Sequence, residues 1–283
     1  MSRRPVNALA AFGLLATVGL LAASCATNNK SIFVQQVQYR TPGTCVVKND
    51  PTQDYESGGT LDLALNQSYE ATALVASQLL NTGNTATNTV DTDTVILQGA
   101  DVHLDTVPSG ILGSGQTDFS ITPVNGTVYS TTSTTPSYGL ASVNIIPPQI
   151  GATLAKYFLS GSTPAISKGS VQVVATFKVY GQTLGNDAVE SAPFSFPVTV
   201  CYGCTIQVSG VATDTTTGKK VCAAASSSSG STSTALPCVA GTDGPTPCEQ
   251  CPGYAVCQIC SGDGDCSAFG ASAKCDTAVG RCY

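Results

Sequence analysis

Val171-Gln172-Val173-Val174-Ala175-Thr176-Phe177-Lys178-Val179 carries an apolar residue at every odd position and mainly polar ones between them. Successive side chains of a strand point to opposite faces, so this stretch packs one face and wets the other. Phe194-Ser195-Phe196-Pro197-Val198-Thr199-Val200 repeats the pattern on its even positions. If the two strands pair, Val171, Val173, Phe177 and Val179 share a core with Phe194, Phe196, Val198 and Val200, since a one-residue slip would turn one apolar face outward. Pro197 has no N–H to give a ladder and marks an edge or a bulge.

Outward from this pair, further strands are predicted over Ile32–Tyr39, Leu61–Leu65, Tyr69–Leu79, Val95–Leu104, Thr117–Thr122, Val124–Ser130, Tyr138–Ile146 and Thr205–Val208, separated by turn formers such as Ser57-Gly58-Gly59. That spacing predicts an all-β fold over residues 31–209, an antiparallel β-sandwich of the immunoglobulin-like kind. The one helical pattern is Ile150 to Phe158, where Ile150, Leu154, Tyr157 and Phe158 share a face after Pro147-Pro148. Residues 210–237 are rich in Ser, Thr and Gly and read as a linker or loop. The last 46 residues, 238–283, are too few to bury a core without staples and are dense in cysteine, so a small disulfide-rich module is expected there.

At the other end, Arg3 and Arg4 precede an apolar run from Ala8 to Ala23 that closes on small residues, the order of a secretory signal peptide. The run falls short of the ~20 residues that span a bilayer. Leu21-Ala22-Ala23-Ser24-Cys25 resembles the lipobox of bacterial lipoproteins, with the leucine one position further from the cysteine than is usual. The resemblance implies a signal peptide over 1–24, a diacylglycerol on Cys25, a tether over 25–30 and a membrane contact through that lipid. An ordinary signal cut near an Ala-x-Ala site, leaving Cys25 as a disulfide partner, is the competing reading. Pro5-Val6-Asn7 lacks the apolar residues that follow a twin-arginine pair. Ala26, by analogy with enterobacterial sorting, implies the outer membrane or cell surface.

The chain has 13 cysteines, and setting Cys25 aside leaves 12, an even number as full pairing requires. Export leads to an oxidising space, so Cys45, Cys201, Cys204, Cys222, Cys238, Cys248, Cys251, Cys257, Cys260, Cys266, Cys275 and Cys282 are all expected in disulfides. Cys45 lies near the first strand and far from the other cysteines, and Cys201 or Cys204 is its expected partner. Cys260-Ser261-Gly262-Asp263-Gly264-Asp265-Cys266, with Cys275 and Gly280-Arg281-Cys282, resembles a small repeat of secreted myxobacterial proteins. Together with Cys201-Tyr202-Gly203-Cys204 and Cys238-x-x-Gly241-x-Asp243, it makes the chain similar to uncharacterised myxobacterial-type outer-membrane lipoproteins. That family has no agreed activity, so the resemblance implies location and architecture alone. Within the repeat, Cys260 with Cys275 and Cys266 with Cys282 is the expected pairing, because crossed bridges tie the segment into one unit. Nested pairing, Cys260 with Cys282 and Cys266 with Cys275, is the rival.

Candidate chemistry is sparse. Cys248-x-x-Cys251 and Cys257-x-x-Cys260 stand only five residues apart, whereas zinc ribbons place roughly 15 to 20 between such pairs, so no metal is expected there. Asp263 and Asp265 form a weak calcium candidate, since no bidentate Glu follows to close a loop, and turn formation explains them. Cys201-x-x-Cys204 runs into a predicted strand rather than the helix that activates a redox pair. The single histidine, His103, is flanked by Asp101 and Asp105, and G-x-S-x-G, H-E-x-x-H and phosphate-loop motifs are all missing, so neither a catalytic residue nor a cofactor is expected. With 12 basic and 18 acidic residues the chain is acidic and offers no basic cluster for nucleic acid. Two classes remain. One is a non-catalytic envelope protein with a structural role or a binding role toward an envelope or extracellular protein or polysaccharide. The other is an unrecognised surface enzyme acting on cell-wall or carbohydrate polymers, favoured if a deep pocket gathers Asp101, His103, Asp105 and Asp118; the chain lacks the Trp on which sugar sites often lean.

Overall fold

Alternating apolar and polar residues become two β-sheets whose apolar faces share one core. The computed structural model describes residues 31–81, 83, 90–213, 215, 216, 218, 220–223, 236–250 and 253–283. The expected signal peptide, Cys25 with its tether, and Cys251 lie outside them. Residues 31–283 form one unit, and among the described residues no helix is long and apolar enough to cross a membrane.

In chain order the elements are β1 (Ile32–Gln38), β2 (Tyr55–Glu56), β3 (Gly59–Asp62), β4 (Tyr69–Ser77), β5 (Val95–Val107), β6 (Asp118–Ile121), β7 (Gly126–Val128) and β8 (Ser137–Ile146), then α1 (Pro148–Leu159), β9 (Ser170–Thr183), β10 (Ala188–Glu190) and β11 (Phe194–Cys201). One sheet runs β2-β1-β4-β8 and the other β3-β11-β9-β5-β6, with β10 beside β9 and β7 beside β5. The register of β9 and β11 places Val173 opposite Val198, Val171 opposite Val200 and Phe177 opposite Phe194. Phe177, Phe196, Val198 and Val200 are fully buried, while Phe194 is half-buried and meets the Phe177 ring edge-on. Pro197 sits one residue short of the β3 pairing, where β11 is itself the edge. Helix α1 begins at Pro148, directly after Pro147, and buries Ile150, Leu154 and Phe158.

One expectation is corrected here. The sheets are not wholly antiparallel, because β3 runs parallel to β11. After β1 and β2 in the first sheet, the chain crosses to the second and lies along its last strand in the same direction. Residues 210–237, read as a linker or loop, open with a hairpin, β13 (Gly210–Thr213) against β14 (Lys220–Ala223), which follows β12 (Ile206–Gln207). The β13 residues are mostly exposed on both faces, so no apolar alternation marked that strand.

The cysteine-rich segment carries β15 (Thr246–Pro247), parallel to β12, and a two-stranded pair of β16 (Cys275–Asp276) and β17 (Arg281–Cys282). Cys260 bonds Cys275 and Cys266 bonds Cys282, the crossed pattern, and Cys248 bonds Cys257. Cys45 bonds Cys238, and Cys201 bonds Cys204, so Cys45 pairs with neither of its expected partners. The reason is local. Gly43 donates its N–H to Leu236 O at 3.1 Å, bringing the loop after β1 to the returning segment rather than to the end of β11.

Candidate functional site

Beside that disulfide, the segment around Gly241 lies along β3. Asp62 N–H donates to Gly241 O at 2.7 Å and Asp243 N–H to Thr60 O at 3.1 Å. Asp243 takes a left-handed backbone, φ 53°, which Asp tolerates better than most residues. Its carboxylate thereby reaches the Thr60 N–H at 2.8 Å and the Tyr69 hydroxyl at 2.9 Å. Tyr69 is buried at the start of β4, and its ring fills the place where a Cβ on Gly59 would be. Glu56, at the end of β2, stands 3.1 Å from the same hydroxyl. The three line a cavity of about 190 Å³ with Arg40, whose guanidinium donates to Glu70 and Thr72.

Proton counting sets the state of this cluster. A phenol has one hydrogen to donate, so it serves one carboxylate. Asp243 is the better placed acceptor, and Glu56 completes the chain only by carrying a proton of its own: Glu56 donates to Tyr69, and Tyr69 donates to Asp243. Burial and the Asp243 charge push the Glu56 carboxyl up to about 7. Burial also raises Asp243, opposed by the Thr60 N–H and the Tyr69 hydroxyl. Burial first, then the two carboxylates, holds the Tyr69 phenol well above its ordinary range. A carboxylic acid tuned to neutrality is a general-acid feature. Here the phenol fills the gap between the two carboxyl groups, where a scissile bond would have to lie.

The histidine lies elsewhere, on the wet face of the larger sheet. His103 Nδ1 is 2.7 Å from Asp118 Oδ1 and its Nε2 3.5 Å from Asp105 Oδ1, and all three side chains are largely exposed. The Asp118 hydrogen bond raises the His103 pKa, and the same bond lowers that of Asp118. Asp101 is one rung away, opposite Lys178, and accepts from Ser120 at 2.6 Å. Three of the four groups singled out in the sequence thus meet, on an open sheet face rather than in a deep pocket.

Asp263 accepts the Cys275 N–H at 2.8 Å, and Asp265 accepts from Ser261 N–H and hydroxyl at 2.8 and 3.0 Å. Both carboxylates brace the disulfide staple. The two C-x-x-C pairs are split between different bridges, Cys248–Cys257 and Cys260–Cys275. Cys222 has no disulfide partner among the described residues, and its sulfur lies 2.9 Å from Cys257 O.

Another acid unforeseen in the sequence is Asp62. It is fully buried and accepts from Gly203 N–H at 2.5 Å, Thr205 N–H and hydroxyl at 2.9 Å and Ala64 N–H at 3.1 Å. An acid inside Leu61-Asp62-Leu63 is the one sequence signal that could have found it. Of the cleft, only Asp243 lay in a quoted motif; Glu56 and Tyr69 come together through tertiary pairing. Comparisons with protein-family profiles, with characterised proteins and with solved structures returned no match.

Proposed function

We propose that this chain is an exported envelope protein, anchored to the outer membrane by a lipid on Cys25, with a non-catalytic structural or binding role. Its body is read as an immunoglobulin-like sandwich. The strand orders β1-β4-β8 and β11-β9-β5-β6 support this, since they correspond to the A-B-E and G-F-C-C′ orders of that fold, and the loops at its ends are the natural contact sites. The observation that carries the non-catalytic reading is the Tyr69 hydroxyl lodged between Glu56 and Asp243: both raised carboxyl groups are taken up in holding β2, β4 and the returning segment together. Capture of an envelope protein or polysaccharide from outer-membrane extract by the mature protein, unchanged by Glu56→Gln, is the expected result.

One observation favours the second reading, a surface enzyme on cell-wall or carbohydrate polymers: the Glu56 carboxyl titrates near neutrality. Release of reducing sugar from cell-wall polymer by the mature protein, abolished in Glu56→Gln, would decide for the enzyme and against the binder.

A further inference from the structure

The bridge between Cys201 and Cys204 differs from the other four among the described residues in what it constrains. Its cysteines are three apart, against 193 for Cys45–Cys238 and 15 and 16 for the two tail bridges. A disulfide stabilises mainly by closing loops in the unfolded chain, and so short a loop gives the least. The turn it spans is already held without it, because the buried Asp62 carboxylate takes the N–H groups of Gly203 and Thr205 and the Thr205 hydroxyl.

The two sulfurs also face different surroundings. Cys201 is buried at the end of β11, whereas Cys204 is exposed. Cys201 Sγ sits 3.6 Å from Leu61 O, so a thiol there finds its acceptor already in place. An Asp62 oxygen lies within 4.8 Å of both sulfurs. Cys204 is the exposed member of the pair, Leu61 O is placed to accept the hydrogen of a Cys201 thiol once that sulfur is protonated, and the Asp62 hydrogen bonds that hold the turn do not involve the bridge. An exposed bridge that stabilises little is the kind that exchanges.

We propose that Cys201 and Cys204 form a reversible thiol–disulfide exchange site that takes two electrons from the dithiol of another exported protein. A partner thiolate attacks Cys204 Sγ, and the Cys201–Cys204 bond breaks with its electron pair on Cys201. That sulfur takes up the proton lost by the partner's second thiol. The second thiolate then attacks the mixed disulfide, forming the partner's disulfide and releasing Cys204 as a thiolate, which takes up the first proton. Two electrons and two protons pass to the cysteine pair, and the exchange is stoichiometric, so it stands apart from the binding role proposed above.

The test uses the intact mature protein. Under graded dithiothreitol, with alkylation and peptide mapping, Cys201 and Cys204 are expected to open at a reductant level about tenfold below any other described bridge (about 1.4 kcal/mol), with the far-ultraviolet β signal unchanged. Reduced glutathione should form its adduct on Cys204. A different bridge opening first, loss of the β signal on opening, or an adduct on Cys201 would each overturn the proposal. The doubly substituted Cys201→Ser, Cys204→Ser protein should fold with a thermal midpoint within about 3 °C of the parent. Failure of that variant to fold would make the bond structural and the proposal wrong.

Discussion

Tyr69 has one hydroxyl hydrogen and two carboxyl neighbours, and the pH response of the molecule follows from that shortage. Between pH 4.5 and about 7 the folded protein holds a proton on Glu56 that the unfolded chain has released. A raised carboxyl pKa therefore contributes stability at low pH that is lost as pH rises through about 7. Asp243, also raised, acts in the same direction, and so does the raised, exposed His103. Thermal midpoints measured from pH 5 to pH 8 should fall, and Glu56→Gln should flatten the fall and melt above the parent at pH 8. An unchanged slope in that variant would remove Glu56 from the account. Tyr69→Phe leaves the two carboxyl groups without their shared hydroxyl and should cost about 1 to 3 kcal/mol in denaturant unfolding. None of this was legible in the sequence, because Glu56, Tyr69 and Asp243 meet only after β3 has crossed between sheets and the chain has returned along it.

The strands themselves were legible wherever one face packs and the other is wet. The alternation in Val171 to Val179 and Phe194 to Val200 showed which residues face the core, and the observed register, Val173 opposite Val198, keeps both apolar faces on one side, though a slip of two residues would have done the same. Partner choice is another matter: nothing local in Gly59-Thr60-Leu61-Asp62 says that it lies parallel to β11. Phe177 is fully buried, and Phe177→Ala should cost about 3 to 5 kcal/mol in denaturant unfolding. His103→Ala, on the wet face of the same sheet one strand over, should leave the midpoint at pH 7 within about 2 °C. A large loss from His103→Ala would mean that the open face is covered by something that depends on it.

Across the whole molecule, the cysteine-rich end is fastened to the sheets at several points rather than appended to them. Cys45–Cys238, the Gly241 and Asp243 bonds to β3, and the Ser167 hydroxyl on Asp276 all tie the two regions. Cysteine counting foresaw disulfides and the need for compactness foresaw the crossed staple, yet Cys45 was given the wrong partner, since nearness in sequence does not report where a loop folds back. The even count also leaves Cys222 and Cys251 for each other. A map of the unreduced, denatured protein should show that pair and no free thiol, and a labelled Cys222 would break the arithmetic that set Cys25 apart. That same arithmetic bears on the anchor, on which the proposed role depends. Intact-mass analysis of the protein extracted from its native membrane tests it most directly: the chain should begin at Cys25 and carry a diacylglyceryl group, and a soluble product beginning at any other residue would contradict it.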